Sequence, residues 1–198
     1  MYIPKINQLT DRQRAIDFMR KYSFAAIVTV VDGRPTATHL PFVIEQRGDN
    51  IMLISHFAKA NHQAADIFAC TPLVIFTEPH AYISPTHYEK QQNVPTWNYI
   101  AVHAYGEAIP VEDAATVLEK TINFYEAEYL QQWNSLSSDF KVKMMNGIVA
   151  FEITVTDLQA KSKLSQNRSD TEQQNIISAF AKSGNYNEQQ IAAYMQDF

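Results

Sequence analysis

The stretch Phe24-Ala-Ala-Ile-Val-Thr-Val-Val-Asp-Gly-Arg34 predicts a β-hairpin and indicates the class of the whole fold. Its first eight residues are mostly β-branched or apolar, which is typical of a partly buried strand. An Asp-Gly pair, here Asp32-Gly33, is the strongest short signal for a two-residue hairpin turn. We therefore expect antiparallel strands over Phe24–Val31 and Arg34–Ile44.

Further strands follow at intervals marked by turn residues. They are predicted over Ile51–His56 after the turn Gln46–Asn50, over Pro72–Ser84 with a break or bend at Pro79, over Val94–Pro110, and over Gly147–Thr156. Because these strands follow one another in hairpin order and do not alternate with helices, the sheet is expected to be antiparallel. The predicted architecture is a small closed antiparallel barrel with peripheral helices, in a mainly β chain of the α+β class.

Helices are predicted where capping residues precede helical periodicity. Capping boxes at Thr10, Ser169 and Asn187 start helices at the beginning and end of the chain. The predicted helices at the C-terminus are Thr171–Lys182 and Glu188–Gln196; those between strands are Ala58–Phe68, Glu112–Leu130 and Asp139–Met145. We expect residues 1–160 to form the barrel domain. Residues 161–198 are expected to add a donor-rich loop and two helices as part of the same unit.

Composition excludes several classes of protein. The 198 residues carry a net charge of −5, which argues against a surface that clamps nucleic acid. The single cysteine, Cys70, excludes an internal disulfide framework and a cysteine-rich zinc site. None of the six histidines has a metal-site spacing, so no metal is expected. Neither a signal peptide nor a membrane span is recognised, and a cytoplasmic location is expected.

Ser55-His-Phe-Ala-Lys-Ala-Asn61 is a candidate anion site between a strand and a predicted helix. The backbone N–H groups at a helix start and the charge of Lys59 would attract a phosphate. Ser55, Asn61 and Gln63 offer further donors. The alternative interpretation is an ordinary strand-to-helix connection with a solvated lysine.

Three other segments carry more polar and aromatic groups than a strand or loop needs. In Thr36–Phe42, Pro41 suggests an edge or bulge whose free backbone groups could bond a planar heterocycle; the alternative is a barrel rim. In Val94–Gly106, Trp97, Tyr99 and Tyr105 alternate onto one face, as in a strand that lines a flat ligand. Lys161–Ser169 could close over an anion, touch a neighbouring subunit, or be a solvated loop.

Taken together, these segments resemble the PaiB family of FMN-binding negative transcriptional regulators. The resemblance covers almost the whole chain in the expected order. It is carried by Met1-Tyr-Ile-Pro4, Ala37-Thr-His-Leu-Pro-Phe42, His56-Phe-Ala-Lys-Ala-Asn61, Pro79-His-Ala-Tyr-Ile-Ser-Pro85, Val94-Pro-Thr-Trp-Asn-Tyr99 and Lys163-Leu-Ser-Gln-Asn-Arg-Ser169.

The resemblance implies an FMN-binding split β-barrel that forms a homodimer with FMN at the subunit interface. Carried over by position, the residues near the isoalloxazine edge would be Thr38, His39, Leu40 and Pro41. His56, Lys59 and Asn61 would approach the phosphate. Trp97 and Asn98 would approach the site, in one arrangement from the partner subunit, and Gln166 and Arg168 would complete it.

Two classes of function remain open at this level. One is a flavin-dependent negative regulator of transcription that acts directly or through a partner. Direct DNA binding is not supported, because the net charge is negative and no helix-turn-helix motif is recognised. The other is an FMN-dependent oxidoreductase or flavin reductase on a small substrate, with His80, Tyr82, His87 or Tyr99 as proton donor. A haem-binding split barrel with an axial histidine is a further alternative.

Overall fold

The computed structural model describes residues 1–197, which contain seven strands in one antiparallel sheet. The strands, β1 to β7, are Phe24–Val31, Arg34–Pro41, Val43–Arg47, Asn50–Ala58, Leu73–Ile83, Thr96–Pro110 and Ile148–Lys163. The helices, α1 to α7, are Arg12–Lys21, Gln63–Asp66, Ala114–Glu126, Tyr129–Ser135, Ser138–Met145, Asp170–Phe180 and Tyr186–Asp197. The strands lie in the order β2-β1-β5-β6-β7-β4-β3.

The predicted hairpin is confirmed. β1 and β2 pair without interruption from Phe24 opposite Pro41 to Val31 opposite Arg34. Asp32 and Gly33 form the turn with φ values of 50° and 75°. Positive φ at both central residues is what a type I′ turn requires, and an Asp-Gly pair tolerates it well.

The two edge strands of the sheet are neighbours along the chain. β2 ends at Pro41 and β3 begins at Val43, so only Phe42 connects the two edges. Two peptide units span at most about 7 Å, so the sheet must curl until its edges approach each other. No ladder joins β2 to β3 in the described residues, and the N–H of Phe42 donates to Ser23 O instead, at 2.9 Å. The antiparallel split barrel is confirmed, whereas the expected closed barrel is wrong.

The chain divides into two compact units. The barrel unit consists of residues 16–76 and 103–158, and the helical unit consists of residues 1–15, 77–102 and 159–197. The predicted boundary between domains after residue 160 stays a prediction.

Four phenylalanines form the centre of the barrel unit. Phe42, Phe57, Phe76 and Phe151 are completely buried. The ring of Phe42 meets those of Phe76 and Phe151 edge to face, with centroids 5.9 and 6.3 Å apart, and Phe57 stacks on Phe151 at 5.0 Å. Burial of each such side chain stabilises the fold by roughly 1.5–3 kcal/mol.

The helical unit contains α6 and α7, and each of these helices buries several apolar residues. These residues are Ile176, Ile177, Phe180, Ile191, Ala192 and Met195. Ser169 is the N-cap of α6, as predicted, and its hydroxyl accepts from the N–H of Glu172 at 3.2 Å. The predicted cap of α7 is wrong, because α7 already begins at Tyr186 and the side chain of Asn185 accepts from the N–H of Asn187.

Several helix starts differ from the predictions by a few residues. α1 is capped by Asp11 and not by Thr10, since the carboxylate of Asp11 accepts from the N–H of Arg14 at 3.1 Å. The predicted helix Glu112–Leu130 is two helices, α3 and α4, and Asp113 caps the first of them. No helix in residues 1–197 has the length and apolar character needed to cross a membrane.

Two differences alter the candidate site. The predicted helix Ala58–Phe68 begins only at Gln63, because β4 continues to Ala58 and a turn follows it; the α-helical part is Gln63–Asp66, and a 3-10 helix continues it over Ile67–Ala69. β7 runs seven residues beyond the predicted end at Thr156, so that it includes Ser162 and Lys163. The segment expected to be a loop after the last strand therefore begins inside that strand.

Candidate functional site

Thr38 and Asn61 come together in the barrel unit. Thr38 lies near the end of β2 and is half-buried, and Asn61 lies in the turn after β4. The Asn61 amide donates to the Thr38 hydroxyl at 2.9 Å, and that hydroxyl donates to Gln63 Oε1 at 2.6 Å. Two predicted site residues that are 23 positions apart thus form one hydrogen-bonded group.

Gln63 organises this group and is itself inaccessible to a ligand. It is 1% exposed, and its amide nitrogen donates to Thr29 Oγ1 and Thr36 O at 3.0 Å and to Ile27 O at 3.3 Å. The suggestion from the sequence that Gln63 offers a donor to an anion is therefore wrong. Ser55 is buried as well, and its hydroxyl donates to Pro41 O at 2.7 Å.

His56 has a buried polar atom with no partner. The imidazole is half-buried on β4, and its Nδ1 makes no hydrogen bond within the described part of the chain. Burial lowers the pKa of His56, so the neutral imidazole is favoured. Buried polar atoms in folded proteins nearly always have a partner, and a bound ligand could supply one here.

Lys59 supplies the positive charge of the barrel unit's candidate site. Its side chain is exposed and makes no hydrogen bond or ion pair with residues 1–197, while its backbone N–H donates to Gly147 O at 2.8 Å. It lines an open cavity of about 280 Å³ together with Asn61, His62 and Val149. Because α2 is a single turn that begins only at Gln63, the attraction for an anion rests on this ammonium group and not on a helix terminus.

The other predicted residues of β2 differ in accessibility. His39 is exposed and stacks on the ring of Phe24, with centroids 6.2 Å apart and planes inclined by 25°. Leu40 is buried, and Pro41 contributes its carbonyl to Ser55. Of His39, Leu40 and Pro41, only His39 is exposed.

Trp97 and Asn98 belong to the helical unit and face in opposite directions along β6. Trp97 is 50% exposed, and its ring lies 5.3 Å from that of His80 and 6.1 Å from that of Tyr82. Asn98 is completely buried; it accepts from the Ser165 hydroxyl at 3.0 Å and contacts the sulfur of Met195 at 3.5 Å. A direct contact between Asn98 and a ligand would require the amide to leave these partners.

Gln166 and Arg168 also have partners within the helical unit. Gln166 closes a tight turn, since its Oε1 accepts from the N–H of Leu164 at 2.7 Å and its amide donates to Ser162 O at 2.6 Å. The Arg168 guanidinium lies 3.7 Å from the ring centre of Tyr88 and donates to Asn93 Oδ1 at 2.7 Å. Both side chains reach polar cavities: Gln166 lines one of about 330 Å³ and Arg168 one of about 440 Å³.

The eleven predicted site residues are thus distributed over both units. Seven lie in the barrel unit, on β2, β4 and the following turn, and four lie in the helical unit. The barrel unit offers groups of the kinds that bind a phosphate-bearing ring compound, namely the unpaired ammonium group of Lys59, the unpartnered Nδ1 of His56 and the exposed ring of His39. The assignment of each residue to FMN stays a prediction.

The split antiparallel barrel and its donor set define a domain of the flavin-binding split-barrel class. Residues 1–157 match the family described as "Putative FMN-binding domain". The chain belongs to this family, it is PaiB-like, and its cofactor is FMN.

Relatives are found at the level of sequence and of structure. The chain is 40% identical over 202 residues to "Protease synthase and sporulation protein PAI 2" of Bacillus subtilis, an alignment that covers 100% of this chain and 97% of that protein. The FAD and heme binding protein from Mycobacterium smegmatis has a similar fold, with a TM-score of 0.63 at 16% identity over 79% of this chain and 73% of that one. The flavocytochrome Anf3 from Azotobacter vinelandii also has a similar fold, with a TM-score of 0.60 at 15% identity over 82% of this chain and 72% of that one.

Proposed function

We propose that the protein is a homodimeric, FMN-binding negative regulator of transcription. The observation that carries the proposal is the 40% identity, over the full length of this chain, to a Bacillus subtilis protein named for protease synthesis and sporulation. Both are processes that a regulator would control. The proposal includes a cytoplasmic location, which fractionation of cells that express the protein would test.

The outer face of β1 supports the dimer. Buried and accessible residues alternate from Phe24 to Val30, and the accessible ones, Phe24, Ala26, Val28 and Val30, are all apolar; Val31 at the end of the strand is exposed as well. In the neighbouring strand β5, Leu73 and Ile75 pair with Val28 and Ala26 and are also partly accessible. The solvent face of an antiparallel sheet is normally polar, and an apolar patch on it marks an interaction surface.

A matched pair of variants tests the dimer. Val30 and Val142 have nearly equal exposure, 54% and 51%, and both lie in the barrel unit. We expect Val30→Asp to convert a dimer into a monomer in light-scattering measurements after size exclusion, because a buried charge at an interface is costly. Val142→Asp should leave the mass unchanged. A monomeric wild-type protein, or a Val30→Asp variant that stays dimeric at micromolar concentration, would refute this interface.

The route to repression is expected to be indirect. The helices α6 and α7 contain no lysine or arginine, and the chain carries a net charge of −5, so neither helix suits the phosphate backbone. The decisive experiment compares a transcriptional reporter in cells with and without the gene. An unchanged reporter would sink the regulatory function. A gel shift with the regulated promoter at low salt separates the routes, and we expect no shift by the protein alone.

A second candidate function is an FMN-dependent oxidoreductase. The observation in its favour is the exposed group of His80, Tyr82 and Trp97, in which an imidazole and a phenol are available as proton donors. FMN would supply the hydride and electron transfer. Anaerobic addition of NADPH or NADH to the FMN-loaded protein tests this function: loss of flavin absorption, restored by air, supports it, and persistent absorption contradicts it.

A further inference from the structure

Two lysines of the helical unit lie side by side without a carboxylate partner. Lys161 and Lys163 are two positions apart on β7 and therefore point to the same face of the strand. Lys161 is 93% buried, that is, 7% exposed, and its ammonium group donates to Tyr2 O at 3.3 Å. Lys163 donates to Trp97 O at 2.7 Å and to the hydroxyl of Thr96. No Asp or Glu of residues 1–197 forms an ion pair with either lysine.

No negatively charged group of the described residues neutralises the ammonium groups of Lys161 and Lys163. Lysine is almost never buried unless it is paired, because an ammonium group loses its hydration and needs a counter-charge in return. The partners here are only carbonyl oxygens, one hydroxyl and the rings of Tyr2 and Tyr99. Burial, together with the charge of Lys161, lowers the pKa of Lys163. An anionic group between the two side chains would relieve both effects.

Aromatic rings lie beside Lys161 and further along the same face of β6. The Lys161 ammonium lies 5.0 Å from the ring centre of Tyr99, and Tyr99 shares its strand face with Trp97. Trp97 in turn contacts His80 and Tyr82, and these three side chains are exposed. A planar ring could therefore pack beside the cations.

We propose that Lys161 and Lys163 bind the anionic group of a planar aromatic ligand whose ring packs against Trp97. A phosphate ester suits the pair, since two ammonium groups match its charge. Two sources carry this chemistry: the phosphate of FMN itself and a separate nucleotide. The site does not depend on whether the protein regulates transcription.

Equilibrium binding to Lys163→Gln distinguishes these sources. The probes are FMN, riboflavin (which lacks the phosphate), and NADPH added to FMN-saturated protein. If the pair holds the FMN phosphate, the variant binds FMN tenfold to a hundredfold more weakly, the range for one charge-assisted hydrogen bond, and binds riboflavin as the wild type does. If it holds a separate nucleotide, FMN binding is unchanged and NADPH binding weakens by a similar factor.

Controls separate the loss of the site from a loss of folding or of charge. Lys182→Gln removes the same charge from an exposed position in the same unit and should change no affinity. Lys163→Arg retains the charge and should keep most of the binding. The inference is overturned if Lys163→Gln, folded by circular dichroism, changes neither FMN nor NADPH affinity more than Lys182→Gln does. Repression of the reporter is measured separately, so its absence would count against the regulatory function alone.

Discussion

Replacement of Gln63 by methionine tests whether one buried amide holds the candidate site together. Methionine has nearly the volume of glutamine but cannot replace its hydrogen bonds. The change would leave the Thr38 hydroxyl without its acceptor at 2.6 Å and the Thr29 hydroxyl, in a residue that is 1% exposed, without its donor at 3.0 Å. The carbonyl of Thr36 would lose a donor as well, although it lies nearer the surface.

The expected loss of stability follows from these partners. A buried polar group left without a partner costs about 1–3 kcal/mol, and a lost hydrogen bond near the surface costs roughly 0.5–1.5 kcal/mol. Since Thr29 belongs to the first class and Thr38 and Thr36 to the second, we expect the free energy of unfolding of Gln63→Met to fall by about 2–6 kcal/mol. FMN affinity should fall as well, because the Thr38 hydroxyl, which accepts from the Asn61 amide, would lose Gln63 Oε1 as its acceptor.

Urea unfolding of the FMN-free protein, followed by circular dichroism, measures the loss directly. Gln131→Met is the matched control, because Gln131 is exposed on α4, and it should stay within about 0.5 kcal/mol of the wild type. The reasoning is refuted if Gln63→Met is as stable as that control. A variant that loses stability but binds FMN normally would refute only the link to the site.

Three further predictions concern His56, Gly106 and Lys161. Burial lowers the pKa of His56 in the folded state below the value of about 6.5 that it has in the unfolded chain. The neutral imidazole therefore contributes its full stabilisation above about pH 6.5 and loses it as the pH falls toward the folded-state pKa. The urea midpoint should therefore decline less between pH 7 and pH 5 in His56→Gln than in the wild type, and equal declines would contradict this. Gly106→Ala should destabilise by about 1–3 kcal/mol in thermal unfolding, because its Cβ would collide with the backbone of Thr154, whereas Gly184→Ala meets nothing within 4 Å and should be neutral. Lys161→Met should leave the ligand-free protein as stable as the wild type or more so, since an ammonium group without a counter-charge is removed; a loss above about 1 kcal/mol would indicate a structural role for this lysine.

Local signals predicted the strands well and the helix boundaries less well. The Asp32-Gly33 turn and the Ser169 cap depend on interactions between residues at most three positions apart, so both can be predicted from a short stretch of sequence. The start of α2 does not follow from local spacing. The helix is displaced to Gln63 because β4 continues its pairing with β7 as far as Ala58, and that pairing involves residues about 90 positions away.

The candidate site was predictable as a set of segments but not as a set of available groups. Ser55, Asn61 and Gln63 all have donors, and periodicity cannot show which of them are already used. The structure shows that Ser55 bonds to Pro41, that Gln63 bonds to β1 and β2, and that the ammonium group of Lys59 has no partner among the described residues. The same limit applies to Gln166, whose amide closes its own turn.

The order of amino acids alone was sufficient for an antiparallel β-rich fold, the capping of α6 and the family resemblance that implies a split barrel, because turns, caps and short motifs depend on near neighbours. Tertiary contacts decided which polar side chains remain free to meet a ligand. These contacts bury the Gln63 amide in hydrogen bonds within the protein and leave Lys161 and Lys163 without a counter-charge. The reason is that packing between distant segments selects the partner of a buried polar group. Tertiary contacts also left the barrel open at Phe42, where the N–H that could have continued a ladder donates to Ser23 instead.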